Sequence, residues 1–290
     1  MIQFIKMQGA GNDYIYVDCL DGYFTEDPGQ VARAISDRHF GVGGDGLVLI
    51  HPSERADARM QMFNADGTEA EMCGNAIRCV AKYLYEESIV SKQQMTIETA
   101  CEDLKLELQA DNKHVHGVRV DMGCPILEAA KIPTLLLGDP VVDQAISLEN
   151  APEEFEALRV TCVSMGNPHC VIFVEKATDE LVLGIGPLIE RDKRFPKRTN
   201  VEFVEVLDRH RVRQRTWERG SGETLACGTG ASAVCVAGVL TNRTERKITN
   251  QLLGGDLEIE WAANEHVYMT GPAEEVFRGE WTIPKRLQSQ

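Results

Sequence analysis

MCGNAIRC, residues 72–79, and ACGTGASAVC, residues 226–235, decide how this chain is read. In each, a cysteine (Cys73, Cys227) stands directly before a glycine and the start of an apolar run with helical character. The second run is apolar almost all round and rich in small residues, the pattern of a helix buried on every side. Cys227 follows Cys73 by 154 positions, and the surroundings keep that spacing: Asn64 falls on Glu218, Phe63 on Trp217, Glu69 on Glu223 and Gly46 on Asn200. Upstream the spacing is 155, placing Gly11–Asn12 on Gly166–Asn167 and Phe40 on Phe195. Separated matches at one nearly constant offset imply two copies of one unit.

Strand-like runs support the duplication. QFIKM, YIYVD, LVLI, RMQMF, LKLELQ and VHGVRVD fill the first half; LRVTCV, CVIFV, VEFVEV, RVRQRTW, LEIEW and HVYMT fill the second. Each half has one strong helix, CGNAIRCVAKYLYEE or CGTGASAVCVAGVL, beginning at its special cysteine. The expected architecture is α+β: two pseudo-symmetric domains, each a sheet wrapped around a central helix, meeting at a cleft. The join falls after DMGCP, and the Pro- and acid-rich stretch 125–156 reads as a variable connection.

A length of 290 residues, with 43% hydrophobic and 26% charged residues, fits two globular domains. No apolar run reaches bilayer length, so no membrane partner is expected. MIQFIKMQGAGND lacks the apolar core and cleavage site of an export signal, which gives a cytoplasmic expectation. A net charge of −15 argues against nucleic acid; the basic stretch ERDKRFPKR, 190–198, reads as a solvated loop. Nine cysteines with no C-x-x-C pair suggest neither a disulfide framework nor a metal site. The densest cluster, Cys162, His169 and Cys170, matches no zinc spacing.

The first amides of a helix lack internal partners and carry partial positive charge. A thiol placed there is expected to have its pKa drawn down from about 8.5 towards neutrality. The small or polar residues that follow, Gly74–Asn75 and Gly228–Thr229–Gly230, leave bare amides to close around a carboxylate. Two such helix starts facing one cleft would set a thiol on each side of an α-carbon. One thiolate removes the proton and the opposite thiol returns one to the other face, inverting the centre without a cofactor.

MQGAGNDY, FNADGTEAEMCGNAIRC, SMGNPHCVIFV, RTNVEF, WERGSGETLACGTGASA and YMTGPAEEVFRGE resemble the diaminopimelate epimerase family, in order and from residue 7 to residue 280. The resemblance implies a barrel-like sheet around the central helix in each domain. It implies a first domain of residues 1–124 plus 277–290 and a second of 125–276. It also implies interconversion of LL- and meso-diaminopimelate without pyridoxal phosphate or metal, in lysine and peptidoglycan precursor biosynthesis, with homodimers common. Cys73 and Cys227 match the catalytic thiols, and Gly74, Asn75, Gly228 and Thr229 the amides that hold the reacting carboxylate. Asn12, Asn64, Asn167, Asn200, Glu218 and Arg219 match residues that hold the substrate. His169, with Glu218, matches groups supporting the thiols. Gly46 stands where some members carry a substrate-touching glutamine, and Cys101–Glu102 where a glycine-containing turn is more usual.

Three other readings compete. A related two-cysteine racemase of histidine or proline would share the thiols, but Glu218–Arg219 and four asparagines suit a two-ended substrate. A cysteine hydrolase using His169 leaves the second thiol unexplained. An anion- or nucleotide-binding module is suggested by GVGGDG, 41–46, which lacks the strand-before, helix-after context of a dinucleotide site.

Overall fold

The computed structural model describes residues 1–70, 73–148, 151–152, 155, 157–284 and 287. Its contacts divide the chain into two compact units, Met1–Val120 with Gly271–Gln290, and Asp121–Thr270.

The first unit holds β1 (Ile2–Gly9), β2 (Asn12–Asp18), α1 (Pro28–Ile35), β3 (Gly46–His51), β4 (Ala58–Asn64), β5 (Glu69–Ala70), α2 (Gly74–Glu86), β6 (Gln94–Glu98), β7 (Asp103–Asp111) and β8 (His114–Asp121). The second holds β9 (Gln144–Ser147), β10 (Ala157–Ser164), β11 (Pro168–Val174), a π-wound turn (Glu180–Ile185) running into α3 (Gly186–Glu190), β12 (Asn200–Asp208), β13 (Arg211–Glu218), β14 (Gly222–Thr224), α4 (Gly228–Leu240), β15 (Lys247–Leu252), β16 (Gly255–Trp261) and β17 (Val267–Gly271). The last strand, β18 (Glu274–Trp281), returns to the first unit and pairs along β1.

The duplication is visible in the hydrogen-bond ladders. In the first unit β1–β2 is antiparallel, β2–β3 parallel, β3–β4 antiparallel, β4–β6 parallel, and β6–β7 and β7–β8 antiparallel. The second unit repeats this through β10–β11, β11–β12, β12–β13, β13–β15, β15–β16 and β16–β17. Register repeats as well: Leu47 faces Phe63 as Val201 faces Trp217, and Phe63 faces Glu69 as Trp217 faces Glu223. Even the outer strand is matched, since β18 lies antiparallel on β1 and β9 on β10.

α2 and α4 each span 13 residues. A helix of this length is marginal alone in water, so its sheet stabilises it. α2 packs on β1, β2, β6 and β7, and α4 on β10, β11, β12, β15 and β16. Ten residues of each helix are buried, Gly74 to Leu84 and Gly228 to Gly238. Both helices end on a left-handed residue, Ser88 (φ 62) and Asn242 (φ 56), whose amides return to Tyr85 and Val239. α1 packs outside on β3 and β4, over a core including Val31, Ile35, Leu47 and Leu49.

The unit boundaries fall a few residues from the positions the resemblance implies. Met122 and Gly123 exchange hydrogen bonds with Val267 (2.9 and 2.8 Å), which ties them to the second unit before residue 124. The return comes before 277 because β18 is on β1 from Glu274 onward. Residues 285, 286 and 288–290 of the expected C-terminal segment lie outside the described residues. Within stretch 125–156, read as connection only, Gln144–Ser147 forms β9. ERDKRFPKR is not wholly solvated: Glu190 is buried and accepts from Trp217 Nε1 (2.9 Å) and Gly220 N (3.1 Å). The Phe40–Phe195 match does not extend to environment, since Phe40 is exposed and Phe195 buried. Among the described residues no helix is long and apolar enough to cross a membrane.

Candidate active site

Each central helix is entered by its cysteine in extended conformation, Cys73 at φ −141 and Cys227 at φ −124. The extended cap leaves the amides that follow as the first turn, aimed out of the helix end.

In the first unit Cys73 is half-buried, and its Sγ lies 3.2 Å from Asn12 Oδ1. Asn12 gives its Nδ2 to Asp45 Oδ2 at 2.6 Å, which fixes the amide with its oxygen towards the sulfur. Asn75, buried in the first turn of α2, donates to Asn12 Oδ1 at 3.4 Å. Behind it Arg78 is fully buried and donates to Gly74 O (2.9 Å), Asn75 Oδ1 (3.0 Å) and Pro272 O (3.0 Å). Burial pulls the guanidinium below its ordinary pKa, opposed first by Cys79 and then by Cys73. Asn64 ends β4 and donates to Thr68 Oγ1 at 3.0 Å.

The second unit brings more of the expected residues together. Cys227 Sγ lies 3.6 Å from Thr229 Oγ1, and Asn167 Nδ2 donates to that hydroxyl at 3.2 Å. His169 Nε2 lies 2.9 Å from Asn167 Oδ1, and its Nδ1 lies 2.7 Å from Glu202 Oε1. Glu218 accepts from Thr224 Oγ1 at 2.6 Å, and its carboxylate interacts with the Cys227 thiol. Asn200 Oδ1 accepts from Arg219 N at 2.8 Å, while the exposed Arg219 guanidinium donates to Lys197 O at 3.0 Å.

The expected lowering of the thiol pKa fails at Cys227. Its helix start does help, through Thr229 and the Gly230 amide. Burial, followed by the carboxylates of Glu218 and Glu202, outweighs them and pushes the thiol well above its ordinary value. Burial likewise raises Glu218.

Gly46 lies opposite Asn64 in the β3–β4 ladder, where a Cβ would run into the Phe63 carbonyl. Its bare backbone is therefore a packing requirement, and the glutamine contact is absent. Cys101–Glu102 closes the β6–β7 hairpin, with both amides donating to Thr99 Oγ1 (3.4 and 3.2 Å), so Thr99 shapes the turn without a glycine. Of Cys162, His169 and Cys170, His169 turns to Glu202, and Cys170 is raised first by its hydrogen bond with Cys162.

Sequence reading missed Asp45 and Glu202. Glu202 carried a signal: its counterpart 154 positions earlier is Val48, inside the wholly apolar LVLI. An acid where the first copy has valine marks a buried charge.

This is a duplicated α+β fold with one cysteine opening each central helix. Solved structures share the fold: a Bacillus anthracis phenazine biosynthesis protein of the PhzF family has a TM-score of 0.68 at 17% identity, covering 97% of this chain and 99% of that one. A probable proline racemase from Agrobacterium radiobacter K84, with bound carbonate, has a TM-score of 0.68 at 15% identity, covering 98% and 94%. At such identities the likeness is one of fold. A family model described as diaminopimelate epimerase matches residues 4–128 and 161–276. The diaminopimelate epimerase of Methanococcus maripaludis strain S2 is 52% identical over 283 residues, covering 97% of this chain and 100% of the relative. That of Acetivibrio thermocellus is 54% identical over 280 residues, covering 96% and 98%. The chain belongs to the diaminopimelate epimerase family.

Proposed function

We propose that Cys73 and Cys227 are the two acid–base groups with which this member of the family epimerises diaminopimelate. The reaction, interconversion of the LL- and meso-forms in lysine biosynthesis, accompanies membership at about half identity over the full length. The observation that carries the assignment of roles is the repeat itself: each unit sets a cysteine immediately before its buried central helix, 154 positions apart.

In the direction that starts with Cys73 as base, its thiolate takes the α-proton and the electron pair passes into the substrate carboxylate. That carboxylate is held by the helix-start amides of Gly74–Asn75 and Gly228–Thr229. The Cys227 thiol gives its proton to the opposite face and is left as thiolate. The surroundings of Cys227 support its role as the acid in this direction, because burial and the carboxylates of Glu218 and Glu202 favour the protonated thiol. In the reverse direction the two exchange roles. Asn12 and Asn167 steady the thiols, His169 supports the Cys227 side, and Asn64, Asn200, Glu218 and Arg219 hold the second amino acid end. The scheme calls for no pyridoxal phosphate or metal. A cytoplasmic homodimer completes the reading; sedimentation and cell fractionation check it.

The test is separate replacement, Cys73→Ala and Cys227→Ala, with deuterium uptake at the α-carbon and chiral separation of products. Both variants are expected to lose epimerisation, and full activity in either one overturns the two-thiol scheme.

A further inference from the structure

Glu202 is fully buried in the middle of β12, alongside a fully buried histidine. Its Oε1 takes His169 Nδ1 at 2.7 Å, while its Oε2 has no hydrogen-bond partner among the described residues. A buried carboxylate with one unsatisfied oxygen is costly, so a role in the site is a better account than stability. Contacts run onward from it in one line: His169 Nε2 to Asn167 Oδ1 (2.9 Å), Asn167 Nδ2 to Thr229 Oγ1 (3.2 Å), and Thr229 Oγ1 to Cys227 Sγ (3.6 Å). Glu202 and the thiol also border one position. A Cβ on Gly230 would stand 2.8 Å from Glu202 Oε1 and 3.2 Å from Cys227 Sγ, so carboxylate and sulfur share the space a glycine leaves open.

We propose that Glu202 is a positioning residue for the Cys227 half-reaction, fixing His169 and the Asn167–Thr229 line while its charge holds Cys227 as the thiol in the substrate-free protein. By holding Nδ1, the carboxylate fixes the orientation of the ring, with Nε2 turned to Asn167 Oδ1. The amide of Asn167, held at both ends, then fixes the Thr229 hydroxyl against the sulfur. The titratable groups around Glu202 are His169 and Cys170 on β11, Glu218 on β13 and Cys227 at the start of α4. Of these, Glu218 acts on the thiol in the same sense as Glu202. The inference rests on the two-thiol reading, but its readout is a titration that needs no turnover.

The experiment uses the whole chain carrying Glu202→Gln or Glu202→Asp. Thiolate absorbance of Cys227 is isolated as the ultraviolet difference between each protein and its Cys227→Ser derivative across pH; Cys73 is followed likewise with Cys73→Ser. Glutamine removes the charge and keeps an acceptor for His169, so Cys227 should ionise about one pH unit lower or more, with Cys73 unmoved. Aspartate keeps the charge and shortens the reach. Its Cys227 titration should stay near that of the unmodified protein while kcat falls about tenfold or more and KM changes little. An unmoved Cys227 titration in Glu202→Gln, or an equal shift of Cys73, overturns the proposal. Should the glutamine variant not fold, an aspartate variant with full kcat overturns it. Inactive cysteine variants beside an unmoved titration would leave the two-thiol reading standing and remove Glu202 alone.

Discussion

Replacing Gly230 with alanine tests the geometry around Cys227 most directly. In an ordinary helix the change is stabilising by about 1 kcal/mol, because alanine costs less backbone entropy than glycine. Here the new methyl would lie 2.8 Å from Glu202 Oε1, 3.1 Å from Gln214 Nε2 and 3.2 Å from Cys227 Sγ. None of the three gives way freely. Glu202 is tied to His169, and Gln214 donates to Thr216 Oγ1 at 2.8 Å while accepting from Asn250 Nδ2 at 2.5 Å. Overpacking of this kind costs about 1–3 kcal/mol, and stretching a charged buried hydrogen bond forfeits part of about 1.5–3 kcal/mol. The sum exceeds the helix gain, leaving a net loss of about 2 kcal/mol and a displaced sulfur. The equivalent position in the first unit is Ala76, fully buried, and the wall residue equivalent to Glu202 is Val48. Gly230→Ala should therefore cost less in a Glu202→Val background, with a coupling of about 0.5–3 kcal/mol in a double-mutant cycle. Denaturant unfolding followed by tryptophan fluorescence reads the second unit well, since Trp217 and Trp261 lie in it. A Gly230→Ala protein that gains the full helix benefit and keeps its kcat would refute this account of the site.

Three further outcomes are expected. Gly46→Gln, although it restores a residue other family members carry, should destabilise the chain by about 2–3 kcal/mol, because its Cβ meets the Phe63 carbonyl and sits 2.8 Å from Tyr14 Cε1; a lowered thermal midpoint checks this. Asp45→Ala should lower kcat/KM for diaminopimelate about ten- to hundredfold with circular dichroism unchanged, since the charged acceptor that orients Asn12 against Cys73 is worth about 1.5–3 kcal/mol. Stability should fall on the alkaline side: burial raises the Cys79 thiol to about 11 and Cys235 to about 12. The unfolded thiols ionise near about 8.5 while the folded ones stay protonated, so the contribution is full below that pH and is lost as pH rises towards 11–12. The slope is about 1.4 kcal/mol per pH unit per thiol, and denaturant midpoints of Cys79→Ala and Cys235→Ala should show it flattened.

What was legible in the sequence is what repeats. The two central helices, their cysteine starts and twelve strands announce themselves through apolar periodicity, and the constant offset aligns them. Some of the elements missed have a weak pattern or a distant partner, whereas α1, β6 and β15 carry a periodic pattern that the strand and helix runs above pass over. β18, EEVFRGEW, is mostly exposed and is a strand only because β1 offers an edge more than 260 positions earlier. β5 and β14 have two and three residues, too few for any period to show. Residue types near each cysteine were legible: Asn12 and Asn75 lie together at Cys73, and Asn167 and Thr229 lie together at Cys227. The electrostatics were not, because helix-start position argues for an acidic thiol at Cys227, whereas burial among carboxylates decides the opposite.

The positions where the two copies disagree then acquire a meaning. A duplicated unit with identical interiors would give two equivalent thiols, whereas the proposed two-thiol scheme needs one protonated and one not at each start. Arg78 on α2 answers to Ser232 on α4, and Val48 on β3 to Glu202 on β12. Tyr14 answers to His169, at the upstream offset of 155. The first two changes set a buried cation on the Cys73 side and a buried acid on the Cys227 side, the third supplies the histidine that pairs with that acid, and the ladders and register that carry the side chains stay the same. Divergence has been spent on side chains that point inward beneath the helix starts. Exchanging the pairs, with arginine at 232 or valine at 202, should shift which thiol carries the proton at rest without altering the strand pairing of either unit.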